Sequence, residues 1–274
     1  MQMRPATALL FLIYSTFLVL ALPLARDASV QYPINPSNIH SKAFPSVRTS
    51  AILARRLLRL SRFGTLSTVF PNHPSAWPPR PSHLSGLPIG LPEYVADCER
   101  QGRLPSSPGG NPTLLAFDIA TNFRNAAAGS NVSLTLQWVK PNEGRLPLLL
   151  EQDHVYNKKA LEEEMDNNHY SQAAMPRIAL LGHIEIIHSD NPTDNSTIEE
   201  FKNCFVSTHP DAAPWVPDVQ GKIHDSHWAR LVVEQAYWVG GFGNVAYIGW
   251  IPMDIWRSIS ETDIEQAKLP GERG

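Results

Sequence analysis

The sequence predicts a mainly β protein in which antiparallel strands form a barrel flanked by a few helices. About six strand-like segments recur along the 274 residues. The helical segments are sparse and do not alternate regularly with strands, which argues against a doubly wound parallel sheet. Residues 131–138 alternate apolar and polar side chains, as expected of a strand with one buried face. A barrel is favoured because closure removes the exposed edges of many short strands.

The first 45 residues are interpreted as a leader and an arm. Arg4 precedes an apolar run at 9–20, and small residues end it at Ala21, which is the pattern of a secretory signal peptide over residues 1–21. The run is too short to span a bilayer comfortably, although a retained single-pass anchor remains the alternative. Residues 22–45 are polar and contain prolines, so we expect a flexible arm. The mature chain is expected to be soluble and to have no membrane association.

The main domain is expected to cover residues 46–260. A helix is predicted at 50–61, because its leucines share one face while Arg55, Arg56 and Arg59 lie mostly on the solvated side. Three strand-like segments follow it, at 63–69, 89–96 and 113–119. Repeated prolines between 71 and 92 predict a long loop, since proline cannot donate to a central strand ladder.

The middle of the chain contains a short helix, an insertion and a long strand. The helix is predicted at 121–128, with Thr121 or Asn122 as its cap and Gly129 as a left-handed terminator. An acidic insertion occupies residues 142–175, with a charged helix or loop at 158–172. The segment RIALLGHIEIIH at 177–188 predicts a long strand with a bulge at Gly182.

The last third is predicted to hold one helix, two strands and a polar tail. The pattern Ser196-x-x-Glu199 is that of a capping box at a helix start. A strand at 229–239 leads into Gly241, Gly243 and Ala246, which fit the dinucleotide pattern G-x-G-x-x-[GA]. Because another strand follows and ends at Pro252, we interpret these glycines as a turn between strands. Residues 261–274 are expected to be a polar tail.

Charge and cysteine content narrow the function classes. The formal net charge is −3, which argues against nucleic acid as a partner because binding phosphates requires a concentrated basic face. The two cysteines, Cys98 and Cys204, predict one disulfide in an oxidising compartment, with two buried free thiols as the alternative. No Cys-x-x-Cys spacing supports a metal site.

Two N-glycosylation sequons satisfy the rule that the middle residue is not proline. They begin at Asn131 and at Asn195. Behind a signal peptide, such sequons predict glycans and therefore an exposed surface. The expected location is the cell exterior or the lumen of a vacuole or lysosome.

The order of several segments resembles the CREG family over residues 46–260. The segments are SRFGTLSTV at 61–69, DIATNFRNAAAG at 118–129, RIALLGHIEII at 177–187, HPDAAPW at 209–215 and YWVGGFG at 237–243. The resemblance implies a secreted or lysosomal glycoprotein with a six-stranded split barrel of the FMN-binding type, related to pyridoxamine 5'-phosphate oxidases. It also implies a homodimer and loss of the flavin site that those oxidases use.

Residual flavin binding is the alternative that the sequence leaves open. Thr121, Asn122 and Arg124 stand at a predicted helix start, where free N–H groups and a guanidinium would hold a phosphate. The alanines that follow add no second cation. Neither a catalytic residue nor a metal site is predicted. We therefore expect a non-catalytic protein without a cofactor that binds an unidentified protein or ligand, and the alternative is an FMN- or haem-dependent oxidoreductase.

Overall fold

The computed structural model describes residues 44–72, 82–99, 109–139, 172–187, 192–217 and 219–272, and for residues 82 and 192–197 the backbone only. The predicted leader at 1–21 therefore lies outside the described residues. So do most of the predicted arm at 22–45 and most of the acidic insertion at 142–175. No helix among the described ranges is long and apolar enough to cross a bilayer.

Seven strands form one antiparallel sheet. They are β1 (Phe63–Val69), β2 (Pro88–Ala96), β3 (Thr113–Phe117), β4 (Val132–Gln137), β5 (Arg177–Ile186), β6 (Ser226–Val239) and β7 (Ile248–Ile251). The first six follow the order β3-β2-β1-β4-β5-β6, and β3 also pairs with β6, so these six strands close into a barrel. Strand β7 pairs with β6 outside this ring. The predicted barrel with flanking helices is confirmed.

Five α-helices accompany the barrel within the described ranges. They are α1 (Val47–Leu60), α2 (Thr121–Ala127), α3 (Pro192–Thr208), α4 (Met253–Arg257) and α5 (Glu261–Gln266). Helix α3 begins before the capping box predicted at Ser196, so the predicted start is wrong. A 3-10 turn at Pro210–Trp215 follows α3, with prolines that end the regular helix.

The main core lies inside the barrel and under α1. Leu66 of β1 pairs with Leu134 of β4, and both side chains are fully buried. Leu57 and Leu58 of α1 join the same cluster. Burying a leucine contributes about 1.5 to 3 kcal/mol, so this contact explains why α1 packs across the barrel.

A smaller core joins α3 to the outside of the barrel. Phe201 and Phe205 of α3 are buried with Trp228 of β6. Beside them Cys98 and Cys204 form a disulfide with a Cα–Cα distance of 5.7 Å. The predicted pairing is therefore present, and it links the residues after β2 to α3.

Two predicted glycine features agree with the structure. The register between β5 and β6 shifts at Gly182, where an added Cβ would overlap the backbone carbonyl of Val232. Only glycine fits this bulge. Gly241 has a φ of 144° in the connection from β6 to β7, so the dinucleotide-like pattern is a turn between strands.

The basic run of α1 is not the solvated face that the sequence predicts. Arg55 is fully buried, and its guanidinium carbon lies 5.2 Å from the ring centroid of Trp256. Burial lowers the pKa of Arg55. Arg59 contacts Asp97 and Glu261, each at 2.7 Å. The arginines therefore attach α1 to neighbouring elements.

The prediction of a polar tail at 261–274 is also wrong. Residues Glu261–Gln266 form α5, and Ile264 and Leu269 are buried. Trp138 Nε1 donates a hydrogen bond to the Pro270 carbonyl at 2.8 Å. These isolated apolar residues pack the segment onto α1.

Candidate functional site

The predicted phosphate site lies on α2, which packs against β1 and β2. Its N-cap is Ala120, which has no side-chain hydrogen bond, so the predicted capping by Thr121 or Asn122 is wrong. Gly129 follows the last turn with a φ of 89°, as the sequence predicts. The backbone therefore forms the predicted helix without the predicted side-chain cap.

A chain of hydrogen bonds connects α2 to the barrel. Asn125 Nδ2 donates to Thr68 Oγ1 at 3.0 Å, and Thr68 Oγ1 lies 3.3 Å from Asn122 Oδ1. Asn122 Nδ2 then donates to Glu93 Oε1 at 3.1 Å. Asn122 is fully buried, so its amide group is used inside the protein rather than offered to a ligand.

Glu93 is the acidic end of this chain. Burial raises its pKa from 4.5 to about 7, and the hydrogen bond from Asn122 opposes that rise. No ion pair involves Glu93 among the parts of the chain that the structure describes. The carboxyl group therefore carries a proton or an uncompensated charge, depending on pH.

Thr121 and Arg124 are the two predicted site residues that stay closer to the surface. Both are half-buried. The Arg124 guanidinium has no resolved ion pair within the described ranges, and it is the one cation on α2. A dianionic phosphate requires several donors or cations, whereas Asn122 is enclosed and Glu93 adds an acidic group. These residues therefore do not fit a flavin phosphate.

Sequence reasoning missed Thr68, Glu93 and Asn125. The alternation Ile89, Leu91, Glu93 puts the carboxylate in phase with two apolar residues, and this signal could have identified it. The contact to Asn122 spans 29 residues, so no local pattern predicts it.

Two exposed histidines, His227 on β6 and His183 on β5, each lie beside one carboxylate. His227 Nε2 lies 3.0 Å from Asp118 Oδ1, and His183 Nδ1 lies 2.8 Å from Glu234 Oε1. Across the described ranges, no group of three His, Cys, Asp or Glu side chains could hold a metal ion.

The structure describes the side chain of one sequon asparagine but not of the other. Asn131 is exposed just before β4, so a glycan there would meet solvent. Asn195 lies in the first part of α3, where only the backbone is described. Modification of either asparagine stays a prediction.

The outer face of the sheet is uncharged over a wide area. Paired positions form one row across six strands: Pro92, Thr65, Thr135, Ala179, Tyr237 and Trp250. A second row runs beside it: Gly90, Ser67, Ser133, Leu181 and Gln235. At the β7 edge Trp250 is 52% exposed. We call these two rows the outer face.

Known structures similar to this one include haem proteins and a relative of an oxidase. A haem-binding protein from Mycobacterium smegmatis is 18% identical, and the two structures align with a TM-score of 0.48. The alignment covers 80% of this chain and 62% of the haem-binding protein, so this chain spans less than two thirds of that protein's length. HutZ, the haem storage protein from Vibrio cholerae, is 14% identical with a TM-score of 0.36, covering 67% of this chain and 89% of its own.

A Clostridium acetobutylicum protein related to general stress protein 26, of the pyridoxinephosphate oxidase family, is 12% identical with a TM-score of 0.36. That alignment covers 70% of this chain and 89% of the other. No curated protein matched the chain.

The family described as CREG, beta-barrel matches residues 45–258. The matched region begins beside α1 and ends after α4, so it contains the whole barrel and α2. Because the match covers most of the sequence, the chain belongs to the CREG β-barrel family.

Proposed function

We propose that this protein is a secreted or lumenal N-glycosylated homodimer that has no catalytic activity and acts by binding a partner. The proposal that the protein has no catalytic activity rests on one observation: the buried Asn122 side chain donates its hydrogen bond to Glu93 inside the protein. This arrangement leaves the predicted phosphate site with one cation and an adjacent acid, which disfavours a flavin.

The proposed location rests on the leader, the sequons and the disulfide. A signal-peptide pattern covers residues 1–21, and two sequons follow it. A disulfide such as Cys98–Cys204 persists in oxidising compartments. Together these features favour the cell exterior or the lumen of a vacuole or lysosome.

The proposed homodimer uses the outer face. Neither of its two rows contains a charged residue, so a second copy would bring no like charges together. Trp250 and Ile248 expose apolar surface at its edge, and exposed apolar patches often mark association surfaces.

Gel filtration with light scattering tests the assembly on glycoprotein purified from a secreting host. We expect a dimer at micromolar concentration for the wild type and a monomer for Thr135→Arg, because the new charge would be buried without a partner. The matched control is Thr262→Arg on the exposed side of α5, which should remain dimeric. A monomeric wild type would contradict the proposed assembly.

A further inference from the structure

The barrel is closed unevenly between β2 and β3. Strand β2 pairs with β3 only at Val95 and Ala96 in the described ranges, whereas its pairing with β1 extends from Pro88 to Tyr94. Among the residues that the structure describes, the stretch from Pro88 to Tyr94 therefore has a strand on one side only. We call this stretch the seam.

Three residues of the seam face the inside of the barrel. Across the β1–β2 ladder, Glu93 pairs with Gly64, Leu91 with Leu66 and Ile89 with Thr68. Directly opposite residues lie on one face of a sheet, and the three β1 partners are buried. Leu91 nevertheless remains 37% exposed. Solvent therefore reaches an apolar wall with one carboxylate beside it.

In the described parts of the chain, only one oxygen of the Glu93 carboxylate accepts a hydrogen bond. Asn122 donates to Oε1, and no donor to Oε2 is present in the described parts of the chain. β1 has no charged residue, and Arg124, the one cation on α2, forms no ion pair with Glu93. Tyr94 projects to the other face and bonds Asp211 at 2.6 Å. A partly buried carboxylate without a cation is unfavourable, and a cationic ligand would compensate it.

We propose that the seam binds an organic cation, with a primary ammonium group on Glu93 and an apolar body against Leu91 and Ile89. Such a site combines an apolar wall with one oriented polar group, as small-molecule sites do. It goes beyond the proposed function and is independent of the proposed dimer, because these side chains face inward whereas the outer face points away.

Binding should depend on pH. The ammonium group pairs with the ionised carboxylate, and the pKa of Glu93 in the free protein is about 7. Below that pH a proton competes with the ligand, so affinity should fall about tenfold per pH unit. The protein would bind the cation at neutral pH and release it in acid.

Isothermal titration of the purified glycoprotein with n-hexylamine tests this site. We expect saturable binding at pH 8, at least tenfold weaker binding at pH 5.5, and at least tenfold weaker binding of hexan-1-ol at pH 8. Glu93→Gln should lose at least tenfold in affinity while Glu265→Gln, a charge-matched change at an exposed position on α5, keeps wild-type affinity.

Two results would overturn the proposal: no saturable binding of hexylamine to the wild type at pH 8, or equal binding to Glu93→Gln and the wild type. Urea unfolding of each variant verifies that it is folded before titration. The Thr135→Arg variant should bind hexylamine like the wild type. Measuring hexylamine binding to this variant distinguishes an error in the proposed dimer from an error in the proposed seam site.

Discussion

Replacing Glu93 by glutamine tests how the partly buried carboxyl group couples stability to pH. The pKa of Glu93 rises from 4.5 to about 7 in the folded protein, mainly through burial. The folded state therefore retains a proton that the unfolded chain releases between these two values. This group's contribution to stability is fully present below pH 4.5 and is lost as pH rises through 7.

The magnitude follows from the size of the pKa shift. The rise from 4.5 to about 7 spans roughly 2.5 units, and each unit corresponds to about 1.4 kcal/mol, giving an upper limit of about 3.5 kcal/mol. Because the carboxyl group is partly exposed, solvent screening reduces the effect, and we expect about 2 kcal/mol. Glutamine keeps an oxygen that can accept from Asn122 without ionising.

Urea unfolding followed by tryptophan fluorescence measures this effect at pH 4.5, 6 and 8. The free energy of unfolding of Glu93→Gln should match the wild type at pH 4.5 and exceed it by about 2 kcal/mol at pH 8. Glu265→Gln serves as the control and should follow the wild type at each pH. A difference between Glu93→Gln and the wild type that stays constant with pH would refute the reasoning.

Two further changes test the elements that hold the fold. Replacing Cys98 and Cys204 together by alanine opens a cross-link with a sequence separation of 106, so by loop-closure entropy we expect a loss of about 4 to 5 kcal/mol in urea unfolding. A loss below 1 kcal/mol would contradict this account. Gly182→Ala should lose about 3 kcal/mol, because its Cβ would overlap backbone of β6. Gly243→Ala, whose Cβ would meet only the Ile248 side chain at 3.4 Å, should stay within 1 kcal/mol of the wild type.

The strands were predictable where local alternation is strong. Strand β1 has the predicted bounds, and Leu134 and Leu136 of β4 are buried as their period of two indicates. The bulge at Gly182 could also be read from one glycine within a long apolar strand. These features depend on neighbouring residues, so a single sequence contains their signal.

The remaining features depend on contacts between distant residues. The pairing of β3 with β6 closes the barrel across more than a hundred residues, and no local pattern encodes it. Arg55 belongs to a basic run that resembles a solvated face, yet Trp256 covers it. In the sequence, Glu93 and Asn122 have no feature that distinguishes them from other polar residues, and only the fold brings them together. The candidate site was therefore less predictable than the fold.

The flavin content of the purified glycoprotein tests the central claim most directly. The α2 region lacks the positive charge needed to retain a nucleotide cofactor, since Arg124 is the one cation on α2 and Glu93 lies beside Asn122. Acid release followed by fluorescence, together with a visible absorption spectrum, should therefore detect neither flavin nor haem. One flavin or haem per chain would contradict it.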